Sequence, residues 1–593
     1  AGIQEQDVVI AVDGEAVGSS EELAVAVDAH APGDTVTVEV VRGGGSDLWG
    51  SSALGGVIQL LTATPGEPAA SAVLEGGTHG QLHAGAGVSR RFGRFGASLD
   101  ASRVEAGYPV VRRGQRGAID IDATSEATAL YGKLDAAVSP ATTLSLRGNL
   151  FDEERGNGTP LTSNGTFGGY LSAGVAHSAG ERGEWAASLT AQRQSFDSTF
   201  SSQAPDRASE VPSLDQFDVT AESLAAAAQW TGSVTAGLDA RWTGAENAED
   251  FLFSAETGRF QRRRRAGGEQ LQGGIYLQKD VGLGERWRFT AGGRVDAWSH
   301  RDGFRVERTL DGGTVLLAEE FPDRDDVAVS PRLSLVYAPR QALRVRGALY
   351  QAFRAPTINE LYRPFRVRND ITAANPALDP ETLTGAELGL DLGNPRSSAR
   401  LTAFWNRLED PVANVTLGLG PGTVGPCGFV PAGGSCRQRQ NLGSVRVTGL
   451  EAEAEHRPAP AWSVSANYLL SHPEIRDSPR EPALEGNRLA QVPEHQVVVR
   501  LSHSDPEVLA GSLQVRYTGE QFEDDLNTLE LDDAVVADLL LRRRLRPGLD
   551  LFVAVENLLD ETVEAGLTAD GLVSIGAPRL IRGGLRLLLG GTR

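Results

Sequence analysis

A pair of cysteines, Cys427 and Cys436, offers the most specific chemistry in this 593-residue sequence. Both lie in one loop rich in glycine and proline, PCGFVPAGGSC. Two cysteines so close together in a loop favour a disulfide formed in an oxidising compartment. A metal site would need two further ligands, and no other cysteine or histidine lies close to them in the sequence.

Charged side chains form short clusters that could bind ions. The run Arg262–Arg265 predicts either a solvated surface or contact with an anion such as the phosphates of lipopolysaccharide, which guanidinium groups bind bidentately. Acidic clusters at 323–326, 523–525 and 532–533 fit either solvated loops or a cation site. The nine histidines are scattered and no catalytic constellation is present, so the sequence predicts neither an enzyme nor a bound cofactor.

Composition and charge limit the class of protein. The formal net charge is −22 and the sequence pI is about 5.0, whereas nucleic-acid-binding proteins are normally basic. No apolar run approaches about 18 residues, so the sequence predicts no transmembrane helix. The sequence begins at Ala1 and contains no methionine, which indicates a processed chain or a fragment.

From about residue 66 onward, segments of some ten residues alternate apolar and polar side chains. Clear examples run over 287–298, 343–350, 462–470 and 549–556; in the first, the odd-numbered residues are mostly apolar and the even-numbered ones mostly polar. In water, such a strand packs its apolar face on a core. In a membrane β-barrel the same face contacts lipid and the polar face lines the lumen.

Connection lengths separate these two structures. Short turns are predicted at 90–96, 139–142, 179–184, 281–286, 338–342, 393–397, 457–461 and 544–548. Long polar loops are predicted between them, at 107–127, 201–217, 299–326, 354–381, 408–440, 472–490 and 561–577. Short periplasmic turns that alternate with long extracellular loops are typical of outer-membrane barrels. The sequence therefore predicts an all-β fold, a transmembrane antiparallel β-barrel of about 22 strands, which is the size of plugged transporters.

The first 45 residues follow a different pattern, strand, helix, strand. Val8–Val12 predicts a strand, Ser19 with Glu22 forms a capping box that opens a helix, and residues 35–41 alternate as a second strand. The stretches GIQEQDVVIAVDGEAV, SSEELAVAV and APGDTVTVEVVRGG resemble the second half of a PDZ domain from periplasmic trypsin-like proteases. The strand and loop with which such domains bind peptides are absent, so the resemblance does not imply peptide binding, and no protease nucleophile context follows.

A glycine-rich run, VEVVRGGGSDLWGSSALGGVIQLLT (38–62), resembles the closing segment of the plug of TonB-dependent outer-membrane receptors. The resemblance is carried by Arg42, Gly43, Ser46, Trp49, Gly50, Gly55 and Gly56. The glycines permit tight turns and close approach of one backbone to another. The resemblance implies that a plug domain ends here.

Two further stretches, QAFRAPTINELYRP (351–364) and NPALDPETLTGAELGL (375–390), resemble the mid-barrel signature of the same family. The matching residues are Phe353, Arg354, Pro356, Asn359, Glu360, Asn375, Pro376, Pro380, Glu381 and Glu387. The segment at 441–458 and the last hairpin, at 555–561 and 578–589, also resemble the family. The sequence ends LGGTR, which departs from the aromatic residue on which the family often ends.

The resemblance implies three segments and one function. A PDZ-like segment would occupy 1–45, the residual end of the plug 46–65, and the barrel 66–593. The implied function is uptake of a scarce ligand, a ferric siderophore or vitamin B12 (cobalamin). In the family, extracellular loops capture the ligand, and movement of the plug, driven by the TonB complex, admits it. The implied surroundings are outer-membrane lipid and lipopolysaccharide, with the protein as a monomer and without nucleic acid.

The front of the sequence departs from the family pattern. The earlier part of the plug and the TonB box are absent, so we expect the chain as written to be deficient in coupling to TonB. The string VEVVRGG occurs in both the PDZ-like and the plug-like patterns, which favours a gene fusion or mis-assembly at this string over a domain replacement. The alternatives are a passive porin-like barrel, a chimeric product without its own function, and a soluble periplasmic PDZ protein with a β-rich region.

Overall fold

The computed structural model describes residues 11–12, 37–51, 53–61, 65–66, 69–367 and 370–590. Its main element is a closed antiparallel barrel of 22 strands, in which the last strand pairs with the first. The predicted fold class is therefore confirmed. The helix predicted from Ser19, and most of the strand predicted at Val8–Val12, lie outside the described residues.

A three-stranded sheet precedes the barrel in the chain. Its strands are β1 (Ala11–Val12), β2 (Thr37–Arg42) and β3 (Gly56–Leu61), in the order β1-β3-β2. The central strand β3 is parallel to β1 and antiparallel to β2, and it places Gly56 opposite Arg42. A short helix, Ser46–Trp49, connects β2 to β3. The plug-like run is therefore a hairpin with a helical turn at its tip.

The barrel strands follow one another along the chain, each hydrogen-bonded to its neighbours. They are β4 (Ala69–Gly77), β5 (Leu82–Phe92), β6 (Phe95–Tyr108), β7 (Ala123–Ser139), β8 (Thr142–Gly156), β9 (Ser163–Ser178), β10 (Glu184–Gln203), β11 (Glu210–Thr231), β12 (Thr235–Ser254), β13 (Arg259–Leu283), β14 (Trp287–Thr309), β16 (Arg324–Arg340), β17 (Leu343–Arg354), β20 (Glu381–Asn394), β21 (Ser397–Glu409), β26 (Ser444–Ala459), β27 (Trp462–Asp477), β28 (His495–His503), β29 (Ala510–Thr518), β32 (Ala534–Arg546), β33 (Leu549–Glu556) and β36 (Leu580–Gly590). β36 closes the barrel by antiparallel pairing with β4.

Shorter elements lie in the connections. The strands are β15 (Val315–Glu320), β18 (Phe365–Val367), β19 (Asp370–Ala373), β22 (Val412–Leu419), β23 (Gly422–Val424), β24 (Gly428–Val430), β25 (Ser435–Asn441), β30 (Gln521–Phe522), β31 (Glu530–Leu531), β34 (Glu564–Leu567) and β35 (Val573–Ile575). A helix spans Ile358–Tyr362, and 3-10 turns span Thr78–Gly80, Arg113–Gln115, Gly180–Arg182, Gly425–Cys427 and Pro482–Leu484. In the mouth of the barrel, β18, β19, β25 and β22 form one small sheet.

The predicted alternation of short and long connections holds only in part, because the long-loop rim also carries short connections at 78–81, 157–162 and 255–258. Each predicted short turn lies between two consecutive barrel strands on one rim, and each predicted long loop lies on the opposite rim. The loops predicted at 201–217 and 299–326 are shorter than predicted, because β10, β11 and β14 continue into them. Strands can continue beyond the apolar band because the ladder still satisfies their backbone groups.

The two faces of the barrel differ in polarity. Leu349, Ile275 and Leu388 on the outer face are 59%, 64% and 65% exposed. Polar side chains that alternate with such residues, Asn247 and Asp296 among them, are 4% exposed inside the barrel. Apolar residues outside and polar residues inside are the arrangement that a barrel in lipid requires.

Aromatic side chains mark the rim of the short turns. Trp185, Trp230, Trp287 and Trp462 lie within a few residues of these turns. Trp287 stacks on Tyr337 with ring centroids 4.1 Å apart. Aromatic girdles form at membrane–water interfaces, and short turns lie on the periplasmic side of outer-membrane barrels, so this rim lies at the periplasmic edge of the bilayer. Among the described residues, no helix has the length and apolar character needed to span a membrane.

Candidate functional site

The mid-barrel signature begins at the upper end of β17 and continues into a folded loop, residues 355–380. A capping box opens the helix Ile358–Tyr362: Thr357 Oγ1 accepts from the Glu360 amide at 3.2 Å, and Glu360 Oε2 accepts from the Thr357 amide at 2.8 Å. The helix buries Ile358, Leu361 and Tyr362 in one apolar cluster with Leu378. The loop is therefore a packed structure inside the barrel mouth.

Arg354 forms an ion-pair clamp at the end of β17. Its two Nη atoms donate to the two carboxylate oxygens of Glu360 at 3.0 Å each, and its Nε donates to Glu381. Glu381 also accepts a hydrogen bond from the Val412 amide at 2.6 Å. Burial alone would raise the pKa of Glu360, but the hydrogen bonds from Arg354 and Thr357 outweigh burial and lower it. The clamp thus joins β17 to two mouth loops, 355–380 and 410–443.

The plug end, which we define as residues 43–58, docks on the same end of β17. Ser46 Oγ accepts from the Phe353 amide at 3.2 Å and donates to the Phe353 carbonyl at 3.4 Å. Two residues further along the chain, just past the end of β17, the Ala355 amide donates to Ser51 Oγ at 3.1 Å. Two serine hydroxyls therefore occupy backbone groups that flank the clamp residue Arg354.

Glycines allow the plug end to approach the wall closely. Gly43 has a φ of +69°, and a Cβ built there would lie 2.4 Å from both Tyr350 Oη and Glu387 Oε1. A Cβ on Gly44 would lie 2.7 Å from the Cβ of Ala352. The Gly44 carbonyl accepts from Arg332 Nη1 at 2.7 Å. A side chain at position 43 or 44 would therefore displace the wall residues Tyr350 and Ala352.

A second contact lies on the neighbouring wall, at β12 and β14. Arg294 is 2% exposed and donates to Asp239 and Asp296. Its Nη1 also reaches the Leu48 carbonyl of the plug end at 3.4 Å. A Cβ on Gly50, whose φ is +71°, would lie 3.0 Å from the guanidinium of Arg294 and from the carboxylate of Asp296. The plug end therefore contacts charged side chains on both walls, Arg332 on β16 and Arg294 on β14.

Asp47 makes this docking dependent on pH. Burial raises its pKa from 3.8 to about 6, although Arg332, 4.0 Å away, acts in the opposite direction. The docked segment therefore keeps a proton that a free segment releases above pH 3.8, so docking is strongest at low pH and weakens as pH rises through about 6.

We expect protection factors for amide exchange in residues 44–51 to fall between pH 4 and pH 7. Asp47→Asn should remove most of this dependence, since the amide carries no titrating proton. Protection factors already correct for the intrinsic pH dependence of exchange. An equal fall in the wild type and in Asp47→Asn would contradict the assignment to Asp47.

Other signature residues bind the mouth loops to each other or to the barrel wall. Asn375 donates to the Arg439 carbonyl at 3.0 Å, and the Pro376 carbonyl accepts from Arg324 at 3.2 Å. The Asn359 carbonyl accepts from Arg439 Nη1 at 2.9 Å. Pro356 accepts, through its carbonyl, from His300 or Gln270 on the wall. Pro380 directly precedes β20.

The remaining plug-motif residues contribute in different ways. Trp49 is 37% exposed, and Gly55 is exposed, so neither is held in the wall. Gly56 is buried at the start of β3 with a φ of 148°. The side chain of Arg42 lies outside the part that the structure describes. The structure thus brings Gly43, Ser46 and Gly50 to the wall.

Several wall residues that hold the plug end were not predicted from the sequence. They are Tyr350, Arg332, Arg294, Asp239 and Asp296. Each is a polar residue on the inward face of a strand, as are many lumen residues that contact no plug. The alternation of the sequence indicates that these side chains face the lumen, but it does not indicate that they contact the plug end.

The arginine run Arg262–Arg265 is divided between the two faces of β13. Arg264 donates to Glu249 at 2.7 Å and to Glu307 at 2.8 Å, and both carboxylates are largely buried. Arg263 instead forms a bidentate pair with Asp250 and lies over the ring of Phe217. Arg263, Arg264 and Arg265 are therefore paired with neighbouring acids rather than forming one cationic patch.

The acidic clusters are also engaged by the protein. Asp323 pairs with Arg301 at 3.1 Å. Asp524 accepts from the amides of Thr528 and Leu529 at 2.8 Å each, and Asp525 accepts from Thr416. Within the described ranges, no group of three or more His, Cys, Asp or Glu side chains is placed to hold a metal ion.

Cys427 and Cys436 form a disulfide inside the mouth loop 410–443. Cys436 lies on β25, which pairs with β19 of the neighbouring loop.

We expect the double variant Cys427→Ser, Cys436→Ser to make loop 410–443 sensitive to protease, since a bond that closes so short a loop contributes about 2–3 kcal/mol. Heat-modifiable gel migration should stay unchanged, because no barrel strand is tied by the bond; its loss would contradict this local role.

A family model described as "TonB dependent receptor-like, beta-barrel" matches residues 111–558 of the chain. The chain belongs to the TonB-dependent receptor family. A model of the PDZ domain matches residues 1–47. As a TonB-dependent receptor, the protein is a bacterial outer-membrane β-barrel of a transporter family and not an enzyme.

Curated relatives of this TonB-dependent receptor include the iron-regulated outer membrane virulence protein of Vibrio cholerae, 24% identical over 342 residues, or 55% of this chain and 47% of the relative. The ferrioxamine receptor of Yersinia enterocolitica is 23% identical over 318 residues, 52% of this chain and 39% of that receptor. The chain spans about half the length of the curated relatives it matches.

Solved structures show the same fold. The copper transporter OprC superposes with a TM-score of 0.76 at 14% identity, covering 93% of this chain and 86% of that one. The ferric-catecholate import receptor Fiu from Escherichia coli K12 superposes with a TM-score of 0.74 at 15% identity, covering 98% and 89%. At such identities the likeness establishes the fold of the TonB-dependent receptor alone.

Proposed function

We propose that the protein is an outer-membrane receptor that takes up a ferric siderophore or cobalamin. The observation that carries this proposal is the continuous contact between the mouth loops and the plug end. The Arg354 clamp binds both mouth loops, while the backbone on either side of Arg354 binds Ser46 and Ser51. A ligand that moves the loops would therefore act directly on the plug end, which we propose closes the lumen.

The chemistry of the surroundings supports uptake over catalysis. The groups around the plug end are paired charges and backbone hydrogen bonds, which can separate and re-form without a covalent step. The outer membrane has no energy source of its own, and in the family the TonB complex drives plug movement. For the sequence as given we keep the expectation of deficient coupling to TonB, which the gradient dependence of uptake tests. The relatives named for iron regulation and ferrioxamine favour a ferric siderophore, and a relative named as a vitamin B12 transporter keeps cobalamin as the second candidate.

The predicted division of the chain forms part of the proposal. We propose that residues 46–65 act as the end of a plug, that residues 66–593 form the transport barrel, and that residues 1–45 form a PDZ-like segment. The matched motif residues would then act in docking the plug and ordering the loops, whereas the ligand would bind the mouth loops.

Uptake by cells tests the proposal. The full chain would be expressed in a host without its own siderophore and cobalamin receptors, which would then be supplied with a panel of 55Fe-siderophores and with 57Co-cobalamin. We expect saturable accumulation of one ligand. Accumulation that depends on the inner-membrane proton gradient would contradict the expected deficiency in coupling to TonB. Absence of saturable accumulation for the whole panel, with the barrel in the outer membrane, would contradict the proposal.

A passive porin-like barrel is the second candidate, because a lumen enclosed by 22 strands would conduct wherever no plug fills it. Conductance of the purified protein in planar bilayers separates the two functions. A receptor with a seated plug end should give small or no steady conductance, whereas a porin should give large, ungated conductance.

A further inference from the structure

A groove of about 1100 Å³ crosses the outer face of strands β4 to β9. Its floor includes Gly132 of β7 and Gly148 of β8, which are directly paired across the two strands. Its walls are leucines on the same outward face: Leu130 and Leu134 are 40% and 54% exposed, and Leu146 and Leu150 are also 40% and 54% exposed. The groove therefore opens towards the hydrocarbon of the membrane.

The glycine at 132 is not explained by packing within the protein. A Cβ built on Gly132 would be 3.8 Å from Leu99 Cδ1, an ordinary contact, and the backbone does not have a positive φ there. Glycine in the interior of a strand weakens the strand and often marks a place where a ligand approaches the backbone closely. A ligand in the groove would account for this residue.

The lower end of the groove carries a positive charge. Arg90 lines it on the outer face of β5, two residues before the end of that strand, and its guanidinium lies 4.7 Å from the ring centre of Phe92. Arg90 lies in the same cross-strand row as the wall residue Leu134, because Ala97 of β6 is paired with both of them. Arg90 therefore lies at the periplasmic headgroup level, where aromatic residues and cations meet lipid phosphates.

The length of the groove fits one leaflet. Gly132 lies seven residues before Ser139, where β7 ends at the periplasmic rim. At a rise of about 3.3 Å per residue and a strand tilt of about 40°, this places Gly132 roughly 18 Å above the rim, near the bilayer centre. An acyl chain whose phosphate is at Arg90 can thus extend along the groove to the glycine pair.

We propose that this groove is a specific site for an anionic phospholipid of the periplasmic leaflet. The lipid phosphate pairs with Arg90, and one acyl chain covers Gly132 and Gly148 between the leucines. The site is separate from the ligand route through the lumen, because the two lie on opposite faces of the barrel wall.

Native mass spectrometry of the full chain in detergent tests this site. The probes are phosphatidylglycerol and phosphatidylcholine with identical acyl chains. We expect the wild type to retain one phosphatidylglycerol with an apparent affinity about ten-fold above that for phosphatidylcholine, which corresponds to about 1.4 kcal/mol. Equal retention of both lipids, or retention of a second copy of the chain in place of lipid, would overturn the proposal.

Variants separate the two halves of the site. Gly132→Leu fills the groove and should reduce retention of both lipids, whereas Arg90→Gln should abolish only the preference for phosphatidylglycerol. The matched control for the first is Gly293→Leu, on the outer face of β14, where the nearest atom to an added Cβ is 3.7 Å away. The control for the second is Arg182→Gln, in another periplasmic turn.

Heat-modifiable migration verifies that each variant is folded. If Gly132→Leu does not fold, Gly132→Ala serves in its place, because a methyl group there makes only the ordinary contact with Leu99. Wild-type retention by the folded groove variant would overturn the acyl-chain contact. An unchanged lipid preference in Arg90→Gln would overturn the phosphate contact.

Discussion

Gly43→Val is expected to convert the protein into a leaky channel in planar bilayers. The valine Cβ would lie 2.4 Å from Tyr350 Oη and Glu387 Oε1, so the plug end could not seat on β17. The positive φ of Gly43 adds a backbone cost of about 1–2 kcal/mol, and the overpacking adds about 1–3 kcal/mol more. Together these costs, about 2–5 kcal/mol, offset the three hydrogen bonds that Ser46 and Ser51 contribute to docking, about 1 kcal/mol each.

The matched control is Gly93→Val in the periplasmic turn between β5 and β6. Gly93 also has a positive φ, +58°, but a Cβ there would meet no atom within 4 Å. The control therefore carries the backbone cost without the clash. We expect its conductance to equal that of the wild type. Equal conductance in the two valine variants would show that the plug end does not close the lumen.

Arg354→Ala is expected to have the largest effect on stability. It leaves Glu360 and Glu381, whose side chains are 19% and 8% exposed, without their shared cation. Removal of one partner from a buried ion pair typically costs about 3–5 kcal/mol. The loss should appear as a lower free energy of unfolding in lipid vesicles and as new tryptic cleavage at Arg363 in the loop 355–380.

Arg407→Ala provides the comparison for this variant. Arg407 pairs with Glu409 at 3.2 Å on β21, which is separated from β17 by β20, but both side chains are about half exposed, 54% and 50%. A pair of this kind contributes less than about 1 kcal/mol, so little change is expected. If the two alanine variants unfold alike and the loop stays resistant to trypsin, Arg354 does not order the mouth.

Much of the barrel could be predicted because its main signal is statistical and repeated. The turns at 139–142, 338–342 and 544–548 each combine short length with glycine, proline or charged residues between two alternating segments. One such turn says little about the fold. Many short turns with long loops between them predict a barrel with one rim of short turns and one rim of long loops. The position of the mouth loop 355–380 could also be predicted, because the signature at 351–364 directly follows an alternating strand segment.

The heights of the walls could not be predicted in this way. β13 has 25 residues and β14 has 23, whereas β33 has 8, and the sequence of the tall strands becomes polar on both faces above the membrane. Polar residues on both faces are typical of a loop. They form a strand here because oppositely charged cross-strand neighbours, such as Arg263 and Asp250, pair along the ladder.

The partners inside the lumen also required the structure. Arg294 and Arg332 share the inward-facing pattern of other lumen residues, and nothing in their local sequence distinguishes them. Their role depends on two strands and a plug hairpin that are some 240 to 290 residues apart in sequence. Such contacts depend on barrel closure and register, which a single sequence does not encode in its local periodicity.

The position of the disulfide has a consequence for biogenesis. Cys427 and Cys436 are nine residues apart and belong to one loop, and the chain has no third cysteine with which either could mispair. The bond can therefore form in the periplasm on a chain that is still unfolded, before any strand has entered the bilayer. Because the bond links no two strands, it places no constraint on the order in which strands join the growing sheet. Oxidation of the loop and insertion of the barrel are separate events, and a cell without a thiol oxidase would still insert the barrel.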